Sequence, residues 1–351
     1  MAGKILAVVG AQYGSEGKGV IVNYLADQFD IHVRVGGPNA GHSFVHEGKV
    51  YKMQVIPCGW ANPDAKVVIG RGALLNLRSF HKELEIIKDV YPDIEKRIMI
   101  DHRAGILDAK FALQEGHTEG ELHKRIGSTG EGVGAARIAR ISRDPDEFRM
   151  AKDTDYREGI AHLLGDTVKF LNKANREGKS ILLEGAQGSA LSLIHGPWPY
   201  VTSHDTNAAQ MAADIGLAPH LITDVMLVAR TYPIRVAGNS GCLENELSWE
   251  EMSERLGKKV QERTTVTKKT RRIGEWDDDL MDQAVLLNRP HQIAITFIDY
   301  IDPADTGKDC IEDLGEKSLA FIRRIEEKWG VPVTMVGTGG YEIDGDFHIA
   351  L

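Results

Sequence analysis

Ten residues near the N-terminus constrain this chain more than any other stretch. Gly10-Ala11-Gln12-Tyr13-Gly14-Ser15-Glu16-Gly17-Lys18-Gly19 stand between an apolar run, Ile5 to Val9, and an amphipathic stretch, Val20 to Phe29. Strand, glycine loop and helix in that order build a phosphate cradle. The glycines let backbone N–H groups turn toward an anion, the helix start adds positive dipole, and the lysine adds a full charge. The spacing G-x6-G-K-G is close to the common phosphate loop but lacks Ser or Thr after the lysine. The plainer reading, a glycine turn that only packs a helix on a sheet, leaves the lysine without a purpose.

Downstream, short apolar strands alternate with helical periodicity. Strands are expected at Ile31 to Val35, Val67 to Gly70, Arg97 to Asp101, Ser180 to Glu184, Val225 to Val236 (interrupted by Pro233), Ile293 to Asp299 and Val331 to Val336. Helices are expected at Leu74 to Val90, from about Asp155 to Glu177, from a Ser248/Glu251 capping box through Leu256, around Ala284 to Leu287, and at Glu316 to Trp329. A hairpin is expected around Glu47-Gly48, and glycine-rich Ile126 to Gly134 belongs to no regular element. This alternation gives an α/β fold with a mostly parallel central sheet, helices on both faces and the phosphate loop after the first strand. No linker or internal repeat divides residues 1–351, so a single domain is expected.

A net charge of −9 argues against nucleic-acid or anionic-membrane binding, which need clustered excess cations. The three cysteines, Cys58, Cys242 and Cys310, form neither a disulfide framework nor a zinc motif. The first apolar run is too short for a membrane span and reads as a strand, so a soluble cytoplasmic protein is expected.

Several loops follow strands at the edge where open α/β sheets bind ligands. His42, beside Asn39 and Gly41, is either a turn-stabilising histidine or an acid toward a reacting oxygen. Ser128-Thr129-Gly130 is either flexible loop or a monophosphate cradle. Gln187 is either surface or a group that reads a base edge. Thr264 to Arg272, with threonines among Lys268, Lys269, Arg271 and Arg272, is either a solvated face or a carboxylate clamp. Asp299 either accepts hydrogen bonds from a nucleobase or caps a turn.

Together these segments resemble adenylosuccinate synthetases. Gln12-Tyr13-Gly14-Ser15-Glu16-Gly17-Lys18-Gly19-Val20 stands where the family has Q-W-G-D-E-G-K-G-K. Asn39 to His42 matches N-A-G-H, Ile126 to Gly134 matches I-G-T-T-G-R-G-I-G, Gly185 to Gly188 is G-A-Q-G, and Trp198 to Ser203 matches Y-P-Y-V-T-S. The resemblance implies a two-step reaction: a nucleoside triphosphate phosphorylates the 6-oxygen of a purine monophosphate, and the amino group of L-aspartate then displaces that phosphate. It implies Ser15, His42, Lys18 and Gln187 as catalytic positions, with His42 the general acid. Donor binding falls to Gly14, Glu16, Gly17, Lys18, Gly19, Gly41, His42, Thr296, Asp299, Thr338 and Gly339. Purine monophosphate binding falls to Ser15, Asn39, Ser128, Thr129, Gln187, Thr202 and Val236, with Arg143 reaching in from a neighbouring subunit of a homodimer. Aspartate binding falls to Thr265, Val266, Thr267, Lys269 and Arg271, and Mg²⁺ contacts to Ser15 and Gly41.

Two departures from the family pattern bear on substrate. The aspartate that takes the N1 proton of hypoxanthine is replaced by Ser15, and a lysine beside the donor guanine is replaced by Phe297. The second makes ATP or dATP admissible as donor beside GTP. The first is also the pattern of a phage branch, the 2-aminoadenylosuccinate synthases, which act on guanylate. Guanine carries a 2-amino group beside N1, and a small uncharged serine leaves room for it. A ligase joining aspartate to dGMP or GMP is therefore the leading expectation. An adenylosuccinate synthetase acting on IMP is the second, and a nucleotide-binding protein that has lost catalysis the third. Glu16, a water or the substrate's own phosphate are the alternatives for the missing base.

Overall fold

The computed structural model describes residues 2–155, 158–263, 269–339 and 348–351. Among these, ten strands form the central sheet. From one edge to the other they are His348–Ala350, Val333–Gly339, Gln292–Thr296, Asp224–Arg230, Ile5–Gly10, Ile181–Gly188, Ile31–Arg34, Lys66–Ile69, Ile98–Asp101 and Leu164–Gly165. Every pairing is parallel except that of the first edge strand with its neighbour. Ile5–Gly10 is buried along its whole length because both faces are covered. Leu6 and Val8 join one apolar cluster, with Phe44, Trp60 and Phe80; Ile5, Ala7 and Val9 join the other, with Leu171, Met211 and Ile322. Alternate side chains of one strand thus serve two cores.

The expected fold class is the observed one; the differences lie at element ends and in helices that were not expected, Ala109–Glu115, Glu121–Ile126, Val133–Ser142 and Ala208–Ile215, two of which take in Ile126, Val133 and Gly134. The strand expected over Val225 to Val236 divides in two. Asp224–Arg230 stays in the central sheet, and beyond Pro233 residues Ile234–Arg235 pair antiparallel with Arg272–Gly274 in a separate three-stranded sheet. Proline has no N–H for a ladder, so a central strand ends before it. The strand expected through Asp299 stops at Thr296, because Phe297 turns to φ 60° and a 3-10 turn, Ile298–Tyr300, follows. The helix expected from Asp155 begins only at Thr167, where Asp166 caps it by accepting from the Lys169 N–H at 3.2 Å. Its first residues overlap Tyr156 and Arg157, outside the described residues. The Ser248/Glu251 capping box is present on Trp249–Leu256. The glycine-rich 127–132 loop lies between helices Glu121–Ile126 and Val133–Ser142.

Candidate active site

The C-terminal ends of the parallel strands carry the polar groups of the site. Arg34 ends Ile31–Arg34, Arg230 ends Asp224–Arg230, Thr296 ends Gln292–Thr296, and Glu184 lies inside Ile181–Gly188. Each follows an apolar run, and each is buried. That edge of an open α/β sheet exposes N–H groups and helix starts to a ligand.

The glycine loop curls over this edge. Gly14, Ser15 and Gly17 take φ 84°, 64° and 80°, a succession of left-handed residues that only glycine adopts freely. Glu16, fully buried, ties the loop from within: Oε1 accepts from the N–H groups of Gln12 (3.0 Å) and Gly14 (2.9 Å), and Oε2 meets Lys18 Nζ at 2.6 Å. The approach is close enough that a Cβ on Gly10 would lie 2.8 Å from both Glu16 Oε2 and Lys18 Nζ. Thr296 Oγ1 donates to the Glu16 carbonyl (2.8 Å), and Arg230 Nη1 donates to the Ser15 carbonyl (3.2 Å). Arg230 is itself held by Glu262 (2.6 Å) and lies 3.7 Å from the Phe297 ring centroid.

His42 begins the strand of the expected hairpin, His42–His46 with Lys49–Met53. Its Nδ1 meets Glu184 Oε1 at 2.5 Å; Arg34 Nη1 donates to the same oxygen at 3.0 Å, and the Cys58 N–H donates to Oε2 at 2.7 Å. Burial raises the Glu184 carboxyl, but the Arg34 charge and the His42 contact outweigh it and hold the pKa down at about 2. Burial and Arg34 lower the His42 imidazole to about 4. Both folded values lie below the ordinary ones. The stabilisation from Glu184 is therefore full above the usual carboxylate range and lost as pH falls toward 2. That from neutral His42 is full above its usual 6.5 and lost as pH falls through about 4. Tm is expected to be flat near neutrality and to drop steadily from about pH 6 downward, measured by thermal unfolding in a pH series.

A cavity of about 1020 Å³ opens over this cluster. Its wall brings together Gly14, Ser15, Lys18, Asn39, Gly41, His42, Ser128, Thr129, Gln187, Thr202, Val236, Lys269 and Arg271, residues from widely separated stretches of chain. Gln187, at φ 64°, donates from Nε2 to Thr202 Oγ1 at 3.0 Å. Buried Asn39 Oδ1, Gln187 Oε1, Arg271 Nε and Asp299 Oδ1 have no hydrogen-bond partner among the described residues. Buried polar atoms left this way are expected where a ligand supplies the partner.

Other expected residues stand elsewhere. Glu16, Gly17, Gly19, Thr296, Asp299, Thr338 and Gly339 do not line this cavity. Thr296 reaches the glycine loop through Glu16, and buried Asp299 has its carboxyl raised to about 6 by desolvation. Arg143, at φ 60° after Val133–Ser142, is exposed and outside the cavity wall. Thr265, Val266 and Thr267 lie outside the described residues. Lys269 Nζ lies 3.0 Å from His123 Nε2. Sequence reasoning missed Glu184, Arg34 and Arg230, although each stands as a charge at the end of an apolar strand, a signal that could have found them.

Residues 7–156 and 144–312 match the family described as adenylosuccinate synthetase. The chain is 40% identical over 335 residues to the adenylosuccinate synthetase of Methanococcus aeolicus, covering 95% of this chain and 96% of that one. The chain belongs to the adenylosuccinate synthetase family. The Pyrococcus horikoshii member is 39% identical, with 95% of each chain covered. Among solved structures, the fully ligated adenylosuccinate synthetase of Plasmodium falciparum superposes with a TM-score of 0.85 at 21% identity, over 99% of this chain and 100% of that one. The succinoaminodeoxyadenylate synthetase of cyanophage S-2L, bound to dGMP and to dATP as energy donor, gives 0.80 at 28% identity, over 97% and 93%. The family makes this chain a C–N ligase of small-molecule substrates. No helix among the described residues is long and apolar enough to cross a membrane.

The magnesium ion that the family implies suits the donor set here. Ser15 and Gly41 both line the cavity, and a serine hydroxyl and a backbone carbonyl are oxygen ligands of the kind a hard divalent cation takes. The buried trio His42, Cys58 and Glu184 does not suit it, because burial raises the Cys58 thiol well above its usual range and a thiol is a soft ligand.

Proposed function

We propose that this synthetase joins L-aspartate to the 6-position of guanylate, dGMP or GMP, with ATP, dATP or GTP as phosphoryl donor, giving a 2-amino-adenylosuccinate. The observation that carries the reading is Ser15 on the cavity wall, where the ordinary family pattern has an aspartate. A cyanophage relative of the same fold, bound to dGMP and dATP, supports it. Inosinate is the second reading, favoured by archaeal adenylosuccinate synthetases at about 40% identity.

In this reading the purine 6-oxygen attacks the donor's terminal phosphorus, the nucleoside diphosphate leaves, and the N1 proton departs. The aspartate amine then attacks C6 and inorganic phosphate leaves. Lys18 and the loop N–H groups hold the donor phosphates; Ser15 and the Gly41 backbone would hold Mg²⁺, which would supply charge neutralisation there. Asn39, Ser128, Thr129 and Thr202 hold the monophosphate, with Arg143 of a second subunit. Gln187 offers its free Oε1 to the base, and Lys269 with Arg271 clamps the aspartate carboxylates. Glu16 is no candidate for the missing base, because its buried carboxylate is already bonded to Gln12, Gly14 and Lys18. A water or the substrate's phosphate remains for that proton. Phe297 packs beneath Arg230 and brings no ammonium to the donor base, which leaves Asp299 to meet an adenine or a guanine amino group.

Initial rates with aspartate, Mg²⁺, each donor, and dGMP, GMP, IMP or dIMP test the reading. Succino product is expected from the guanylates. Product from the inosinates alone would sink it.

A further inference from the structure

The cavity wall holds a guanidinium with nothing to do. Arg137, on the helix Val133–Ser142, lines the same cavity as Asn39, Thr129 and Thr202. Its Nε and Nη2 atoms are buried without a hydrogen-bond partner among the described residues. Asp214 acts on it electrostatically, yet that carboxylate takes its side-chain hydrogen bond from Gln210 Nε2 at 2.8 Å. A guanidinium loses much of its hydration in such a place and regains it only from an acceptor, and two adjacent N–H donors in a fixed fork suit a phosphate or carboxylate.

Local geometry narrows which anion. Val133 stands one helical turn before Arg137 and so shares its face. A Cβ on Gly37 would meet Val133 Cγ2 at 2.8 Å and Asn39 Oδ1 at 3.1 Å, so this helix face looks onto the Gly37–Asn39 loop. His204, two residues after Thr202, approaches the same loop: its Nε2 would lie 3.8 Å from a Cβ on Gly36. Its Nδ1 is likewise buried with no partner among the described residues, and burial together with Arg137 lowers the imidazole to about 3. Asn39, Thr129, Thr202 and Arg137 thus line one cavity, with the Gly37–Asn39 loop against the helix face that carries Arg137. The carboxylate-clamp candidates Lys269 and Arg271 come from a different stretch.

We propose that Arg137 binds the 5′-phosphate of the purine monophosphate from within the same subunit. The inference rests on the family reaction and holds whether the accepted base is guanine or hypoxanthine. It gives the phosphate a cation in cis, in addition to Arg143 from a neighbouring subunit.

The test compares wild type, Arg137→Met and Arg137→Lys. Binding of dGMP and deoxyguanosine, and of IMP and inosine, is measured by calorimetry, with KM for the triphosphate as a control. In the wild type the nucleotide should bind at least tenfold more tightly than its nucleoside. Arg137→Met should remove most of that difference, leave the triphosphate KM within about twofold, and leave nucleoside affinity unchanged; Arg137→Lys should restore part of it. Nucleotide binding by Arg137→Met as tight as wild type would overturn the proposal. So would equal losses for nucleotide and nucleoside, since a phosphate contact cannot act on a ligand that lacks the phosphate. Failure to use guanylate, with the Arg137 effect intact on IMP, would count against the base assignment and leave this proposal standing.

Discussion

Ser15→Asp is expected to turn the enzyme from guanylate toward inosinate, changing the ratio of their kcat/KM values by at least about 100-fold. The backbone at this position is held on both sides: the Gly14 N–H donates to Glu16 Oε1 before it, and Arg230 binds the Ser15 carbonyl and Thr296 the Glu16 carbonyl after it. The substitution therefore changes what the side chain presents rather than where the loop runs. Ser15 sits at φ 64°, a region that aspartate enters more readily than most residues, so the fold should tolerate it. A carboxylate there restores a base for N1 of hypoxanthine, an effect worth roughly 10²–10⁴ in rate. It also takes space beside N1 that the 2-amino group of guanine needs. One misfit of that kind costs about 2–3 kcal/mol, or close to 100-fold. Steady-state kinetics of both proteins on dGMP and IMP measure the ratio; an unchanged ratio would mean that residue 15 does not choose the base.

His42→Ala is expected to lower kcat by roughly 10²–10⁴-fold with a small change in KM for the purine nucleotide. With Nδ1–H donated to Glu184, Nε2 is the ring nitrogen left for a reacting oxygen. Burial and Arg34 disfavour the imidazolium, while Glu184 favours it. Donor phosphates add negative charge, so the balance shifts toward the protonated acid when the site is filled. Glu184→Gln separates the parts of this cluster. It keeps the shape but leaves Arg34, 3% exposed, without its counter-charge. Losing one partner of a buried pair costs about 3–5 kcal/mol, so this variant should lose stability as well as rate, whereas His42→Ala should lose mainly rate. Thermal unfolding beside kcat distinguishes them. Full activity in His42→Ala would remove it from the chemistry.

The sequence made the architecture legible because a parallel sheet covered on both faces writes itself as apolar runs between helical periods. The glycine loop was legible for the same kind of local reason, since glycines stand at its left-handed positions 14 and 17. What local reasoning could not supply were partnerships across the chain. Glu184 and His42 stand 142 positions apart, and Arg230 and Ser15 stand 215 apart. Neither pairing has a local signature beyond a charge at the end of an apolar strand. The same applies to Phe297, whose exchange for lysine was visible but whose left-handed turn beneath Arg230 was not. The strand expected through Val236 failed at a visible signal, Pro233, which marks a change of sheet rather than an interruption.

The central claim is that the residue replacing the family's aspartate selects guanine. A competition reaction tests it most directly: equal dGMP and IMP, limiting protein, aspartate, Mg²⁺ and ATP, with the succino products resolved by mass. The 2-amino product is expected to exceed the inosinate-derived product at least tenfold. A mixture dominated by adenylosuccinate would contradict the account.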